Sequence, residues 1–213
     1  MLVHGLWHQA RHFDEVALRL RRAGVEVAVP DLHRGSLAAD TAAVQRVVDA
    51  MGRPPIVLGH SYGGVVITGL TGIDHLVYVA AYVPAEQESA AVLGGTHLID
   101  AIVRRRPDGR TELDPVGAVP VLYGDCLPDD AAGAVALLRP QARGHGRGVP
   151  ERVAWRSVPS TYVVCTDDRA IDPAIQQRLA TRCGTTLSWA TSHSPFCSRP
   201  DLVAGVLLDL LQA

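Results

Sequence analysis

Short, wholly apolar runs alternate along this chain with longer stretches whose apolar residues recur at helical spacing. Leu2 to His4, Val25 to Val29, Ile56 to Leu58, Leu76 to Ala80, Thr161 to Cys165 and Thr186 to Ala190 mostly lack polar alternation. That pattern predicts strands buried on both faces. Between them, Phe13 to Ala23 places apolar residues at 13, 16, 17 and 20 and meets Gly24, a helix stop. A second helix is predicted over Ala38 to Met51, before Gly52. Asp172 and Pro173 read as an N-cap and first-turn proline of a third, ending near Gly184. Ser198 to Asp201 has capping-box spacing ahead of a terminal helix. Strand–helix alternation of this kind predicts an α/β fold: a mostly parallel sheet of about six strands with helices on both faces.

The alternation stops between about residues 84 and 157. This stretch is rich in proline and glycine. Within it, IVRRRPDGRTEL predicts a hairpin turning at Pro107 to Gly109, and Asp130 to Leu138 predicts a short helix. RGHGRG, at 143 to 148, reads as a mobile loop. The expected organisation is one domain over 1–213 with an insertion at 84–157 lying over the C-terminal edge of the sheet.

Composition narrows the partners. Hydrophobic residues make up 47% of the 213, enough for a sizeable core. A net charge of −2 gives no basic field for nucleic acid or anionic lipid, which leaves a small molecule as the expected partner. All 20 basic residues are arginine and asparagine is absent, a bias that points to a GC-rich bacterial genome. No apolar run approaches the roughly 20 residues needed to span a bilayer. The chain opens almost inside its first predicted strand, and no leader is read there. The four cysteines, Cys126, Cys165, Cys183 and Cys197, have no CxxC spacing and read as reduced thiols of a cytoplasmic protein. Oligomeric state is not legible.

The chemistry gathers around VLGHSYGGVV at 57 to 66. Gly59-His60-Ser61-Tyr62-Gly63 matches G-x-S-x-G, after a predicted strand and before an apolar helical segment. In that context the glycines admit a tight, strained turn that exposes the Ser61 hydroxyl. A serine nucleophile needs an adjacent base. Among nine histidines, His193 in TSHSPF fits best, because it follows the last predicted strand. In a parallel sheet that loop shares an edge with Ser61. The base needs a carboxylate to orient it. Asp167 and Asp168, after the strand ending at Cys165, are the candidates, and either gives the order Ser, Asp, His. The N–H groups of Tyr62 and of Leu6, in the HGLW loop after the first strand, are expected to receive an oxyanion. His4, His8 and His12 are spaced by four, but Gly5 interrupts them and no nearby acid or cysteine completes a metal site. No metal or organic cofactor is expected.

LVHGLWHQARHF, VAVPDLHRGS, IVLGHSYGGVV, VYVAAYVPAE, TYVVCTDDRAIDPAIQQRLA and SHSPFCSRPDLV occur in this order and cover most of the chain outside 84–157. Together they resemble an α/β-hydrolase of the small esterase and hydroxynitrile-lyase branch, which includes plant methyl-ester esterases and bacterial homologues. The resemblance implies that the second acidic residue of T-[DE]-D-[RK], Asp168, is the acid, and that the insertion is a lid. Lyases of the branch tend to carry threonine after the first histidine and lysine after the catalytic one. Gly5 and Ser194 stand there instead, which favours an esterase. A serine elbow likewise disfavours dienelactone hydrolase or haloalkane dehalogenase chemistry. The expected activity is hydrolysis of a small carboxylic ester or lactone through an acyl-enzyme on Ser61. The alternatives are thioester cleavage, acyl transfer or lactonisation by the same residues, or a receptor-like ligand-binding role. Tyr82, Leu98, Leu122, Tyr123, Cys126, Leu137 and Trp7 are the candidate specificity residues.

Overall fold

A computed structural model describes residues 1–32, 35–142 and 145–212. In chain order, β1 (Leu2–Val3) leads through a 3-10 turn at Ala10–Phe13 into α1 (Asp14–Arg22). Gly24, at φ +81°, reverses the chain after it. Next come α2 (Leu37–Asp49), β2 (Ile56–His60), α3 (Gly63–Thr68) and β3 (His75–Val79). The following stretch carries α4 (Ala90–Leu93), α5 (His97–Ile102), β4 (Val103–Arg105), β5 (Thr111–Leu113), α6 (Pro115–Leu122) and α7 (Pro128–Ala136). β6 (Ser160–Cys165), α8 (Pro173–Ala180), β7 (Thr185–Trp189), α9 (Pro195–Ser198) and α10 (Pro200–Gln212) complete the chain.

Five parallel strands form the main sheet in the order β1-β2-β3-β6-β7. Alternate strand residues serve opposite faces. Leu58, Val77, Val79 and Val163 pack with Phe13 of the 3-10 turn, Val16 and Leu20 of α1 and Leu207 of α10. Val57, Leu76, Tyr78 and Tyr162 pack with Val44, Val65, Val66 and Leu179 of α2, α3 and α8. Burial on both faces explains why β2, β3 and β6 read as apolar runs, whereas the edge strand β7, expected to be buried as well, is largely exposed.

Two expectations need correction. Val25 to Val29 is not a strand, so the sheet has five strands rather than six. The segment runs beside β1 and Ala28 accepts from the Leu2 N–H at 3.0 Å. With only two residues in β1, however, no ladder develops. Ser198 does not cap the terminal helix. Its hydroxyl donates to Asp125 at 2.8 Å, and α10 starts at Pro200. The hairpin of β4 and β5 closes around Gly109 at φ +78°, as its sequence predicts. Asp172 caps α8 through the Ala174 N–H, with Pro173 in the first turn. The expected loop at 143 to 148 lies partly outside the described residues, at Arg143 and Gly144.

Candidate active site

Parallel strands deliver the loops that follow them to one edge. His4 to Trp7 follows β1, Ser61 follows β2, Ala80 to Tyr82 follows β3, Asp168 follows β6 and His193 follows β7. The C-terminal edge of such a sheet is where α/β folds build their crevices.

Ser61 sits at φ +54°, a region that costs a non-glycine residue about 1–3 kcal/mol. The surroundings impose it. The Ser61 N–H donates to Val79 O at 3.3 Å, and its carbonyl accepts from Gly64 N at 3.0 Å and Tyr82 N at 3.2 Å. The elbow also needs bare backbone at its flanks: a Cβ on Gly63 would lie 2.4 Å from the Val3 carbonyl oxygen, and one on Gly64 2.3 Å from that of Tyr82.

His193 is buried, and its Nδ1 lies 2.7 Å from Oδ2 of Asp168. Asp168 Oδ2 also accepts from Gln176 Nε2 at 2.8 Å, while Oδ1 accepts the N–H groups of Ala170 at 2.7 Å and Ile171 at 3.0 Å. Four donors thus surround one buried carboxylate and fix its plane. Asp167 is exposed. Of the two candidate acids, Asp168 is therefore the one brought to the imidazole. Gln176 was not anticipated. Its signal is a polar residue on the buried stripe that continues at Leu179 and Ala180 of α8.

The Leu6 and Tyr62 N–H groups carry no hydrogen bond to a protein acceptor among the described residues. The peptide bearing the Leu6 N–H has its carbonyl, on Gly5, within 2.9 Å of His4 Nδ1. His4 Nε2 accepts from Leu32 N at 3.1 Å, so Nδ1 is the donor. His8 Nδ1 reaches the Leu6 carbonyl at 2.9 Å, and its Nε2 meets the Tyr123 hydroxyl at 3.0 Å. Gly5 must be bare, because a Cβ there would lie 2.8 Å from that of Ser61. Tyr62 is held from behind: its hydroxyl donates to buried Asp40 at 3.0 Å, which also meets His145 Nε2 at 2.8 Å.

His60 is buried, and its Nε2 donates to the His193 carbonyl at 2.9 Å. Burial, reinforced by neighbouring imidazoles, holds the pKa values of His8 and His60 well below the usual histidine range. The three N-terminal histidines spend their ring nitrogens on protein partners: His12 joins Gln9 and Ala134 O. Among the described residues, no group of three or more histidine, cysteine or acidic side chains is placed to hold a metal. All four cysteines are free thiols. No helix among those residues is long and apolar enough to cross a membrane.

Ser61 and His193 open on a cavity of about 450 Å³, within the range of small-molecule sites. Leu6, Trp7 and His8 belong to its wall, with Tyr82, Gly94, Gly95, Ile99, Leu122, Ala170 and Ile171. Trp7, Tyr82 and Leu122 were expected there. Leu98, Tyr123 and Cys126 instead belong to an apolar cluster with Ile102, Leu113, Ala118 and Ala170, and Leu137 borders a separate surface depression. A cavity of about 110 Å³ at the opposite end of the sheet, beside Met1, Ile56 and Leu207, is lined by no serine or histidine among the described residues.

A parallel sheet with a serine elbow and an Asp–His pair at one edge defines a class. The chain belongs to the alpha/beta hydrolase family, whose model matches residues 1–206. It is 26% identical over 234 residues to the alpha/beta hydrolase nvfD of Aspergillus novofumigatus, covering 97% of this chain and 94% of that one. It is also 34% identical over 110 residues to a carbendazim hydrolyzing esterase of a Nocardioides species, covering 44% and 46%. Among solved structures, a pyrethroid hydrolase from Sphingobium faniae superimposes with a TM-score of 0.87, at 22% identity, over 100% of this chain and 96% of the other.

Proposed function

We propose that this chain is a serine esterase that hydrolyses a small, uncharged carboxylic ester or lactone. The observation that carries the reading is the 2.7 Å contact between His193 and Asp168 beside a cavity shared with Ser61 at φ +54°. In this reading His193 Nε2 takes the Ser61 proton as Oγ attacks the carbonyl carbon. Leu6 and Tyr62 N–H groups receive the oxyanion, each contributing roughly 10²–10³ in rate. As the tetrahedral intermediate collapses, the C–O bond to the alcohol breaks and His193 returns the proton to it. Water, deprotonated by His193, then attacks the acyl-serine and releases the acid and the free hydroxyl. Asp168 keeps the imidazole in the orientation both halves require.

The walls support an uncharged substrate. Among the described residues lining the cavity, Asp100 is the one formal charge apart from the histidines, and none of the arginines is present. An anionic ester would enter without a counter-charge and lose its hydration. A carbendazim hydrolyzing esterase and a pyrethroid hydrolase among the similar proteins support a hydrolytic reading.

Labelling with a fluorophosphonate, read by mass spectrometry, tests the nucleophile alongside p-nitrophenyl ester turnover. The expected adduct sits on Ser61. Ser61→Ala should lose both adduct and turnover, retaining at most roughly 10³–10⁴ over water. Near-normal turnover by Ser61→Ala would overturn the mechanism, and labelling without turnover of any ester would point to ligand binding instead.

A further inference from the structure

The loop bearing His193 is gripped from three sides. Asp168 fixes the ring, and His60 Nε2 fixes the backbone carbonyl at 2.9 Å. The third grip comes from the insertion. Asp125, just past the end of α6, accepts the Ser192 hydroxyl on Oδ1 and the Ser198 hydroxyl on Oδ2, the latter at 2.8 Å. These serines stand at the start and end of a unit that holds His193 and α9, so a single carboxylate clasps both ends of it. We propose that Asp125 is a positioning residue for His193, on the reading of His193 as the general base.

The same short segment serves the other side of the site. Tyr123 meets His8, which holds the Leu6 carbonyl, and Leu122 forms part of the cavity wall. Trp7, strained at φ +60°, is tied to the insertion through its N–H to Gln141 Oε1 at 3.2 Å and its carbonyl to Arg139 N at 2.8 Å. The insertion therefore acts as a brace that sets the oxyanion loop and the histidine loop relative to one another. Asp125 is its link to the base. Asp125 itself does not line the cavity, so the clasp bears on the geometry of proton transfer rather than on substrate binding. A displacement near 1 Å at a reacting group can cost about 10²-fold in rate.

Steady-state kinetics on Asp125→Ala, Ser192→Ala and the double variant test this, with thermal melts as the check on folding. Each single variant should lower kcat about tenfold with KM within twofold. The double variant should lose little more than Asp125→Ala alone, not a hundredfold, because the Asp125–Ser192 contact is already gone in either single variant. Asp125→Asn, which keeps one acceptor oxygen, should recover part of the loss. Unchanged kcat in folded Asp125→Ala, or multiplicative losses in the double variant, would overturn the clasp. A loss confined to KM or to melting temperature would do the same. Ser61→Ala assayed in parallel separates this outcome from a failure of the nucleophile assignment itself.

Discussion

His193 Nδ1 lies 2.7 Å from Oδ2 of Asp168, whereas Asp167, one residue earlier, is exposed on the same loop. Two adjacent carboxylates thus have separate environments. One is buried among four donors and the other is solvated. Asp168→Asn presents an amide where the imidazole donates and disturbs the tautomer that a serine nucleophile requires. A loss in kcat of about 10⁴ is expected. Asp167→Asn should stay within about twofold. Ester hydrolysis by the two purified variants decides the matter, and the reverse ranking would remove Asp168 from the mechanism.

Gln176 supports Asp168 at the cost of being a buried amide. Its Oε1 accepts the Cys165 N–H at 3.0 Å, and its Nε2 reaches both Asp168 Oδ2 at 2.8 Å and the Ile171 carbonyl at 2.9 Å. Gln176→Ala strands a backbone donor and removes a donor from a buried carboxylate. Each unsatisfied group costs about 1–3 kcal/mol. Urea unfolding should show a loss of about 2–4 kcal/mol, with activity falling too. A variant as stable as the parent would mean that water replaces the amide fully.

Burial of His8 and His60 makes stability depend on pH in a definite direction. Unfolded imidazoles titrate near pH 6.5, and both folded ones lie well below that. Above about pH 6.5 both states are neutral and the contribution is complete. As pH falls below that value, the unfolded chain takes up protons that the folded chain refuses, so stability declines until the buried rings themselves titrate. Melting temperature should drop between pH 7 and pH 5, and the slope should be shallower in His60→Gln. A flat profile over that interval would show the rings to be better solvated than their packing indicates.

Much of this arrangement is legible from sequence because its pieces are local. The elbow around Ser61, the Asp167–Asp168 pair and the His193 loop each follow a predicted strand, and parallel strands bring such loops to one edge. What sequence hides is contact between distant residues. Asp125 meets Ser192 across 67 positions and Tyr123 meets His8 across 115, with no local pattern to mark either pair. Local signals can also be outcompeted. Ser198 has cap spacing, yet its hydroxyl serves Asp125 while Pro200 opens the helix. Val25 to Val29 has a strand's apolar composition, but its neighbour offers two residues to pair with.

Glycines give a contrast between fold and site. Gly133 lies within α7 with nothing within 4 Å of an added Cβ, so Gly133→Ala should stabilise by up to about 1 kcal/mol through helix propensity. Gly63→Ala would drive a Cβ to 2.4 Å from the Val3 carbonyl oxygen and should prevent folding of the elbow. Thermal melts and soluble yield separate the two. A tolerated Gly63→Ala would mean that α3 can draw back from β1.

Gly5 is the informative intermediate. An added Cβ there meets the Ser61 Cβ at 2.8 Å and both Nδ1 and the carbonyl oxygen of His60 at 3.2 Å. The first contact is too short to persist, and the atom it displaces belongs to the proposed nucleophile. Movement of a few tenths of an ångström is small for the fold and large for attack geometry, where a displacement of about 1 Å can cost about 10²-fold. Gly5→Ala should therefore melt within a few degrees of the parent while losing at least about tenfold in kcat. Fluorophosphonate labelling should slow in proportion, because that reaction also needs the Ser61 oxygen in place. If Gly5→Ala keeps full turnover, the HGLW loop stands farther from the elbow in solution, and the Leu6 N–H is then too distant to receive the oxyanion.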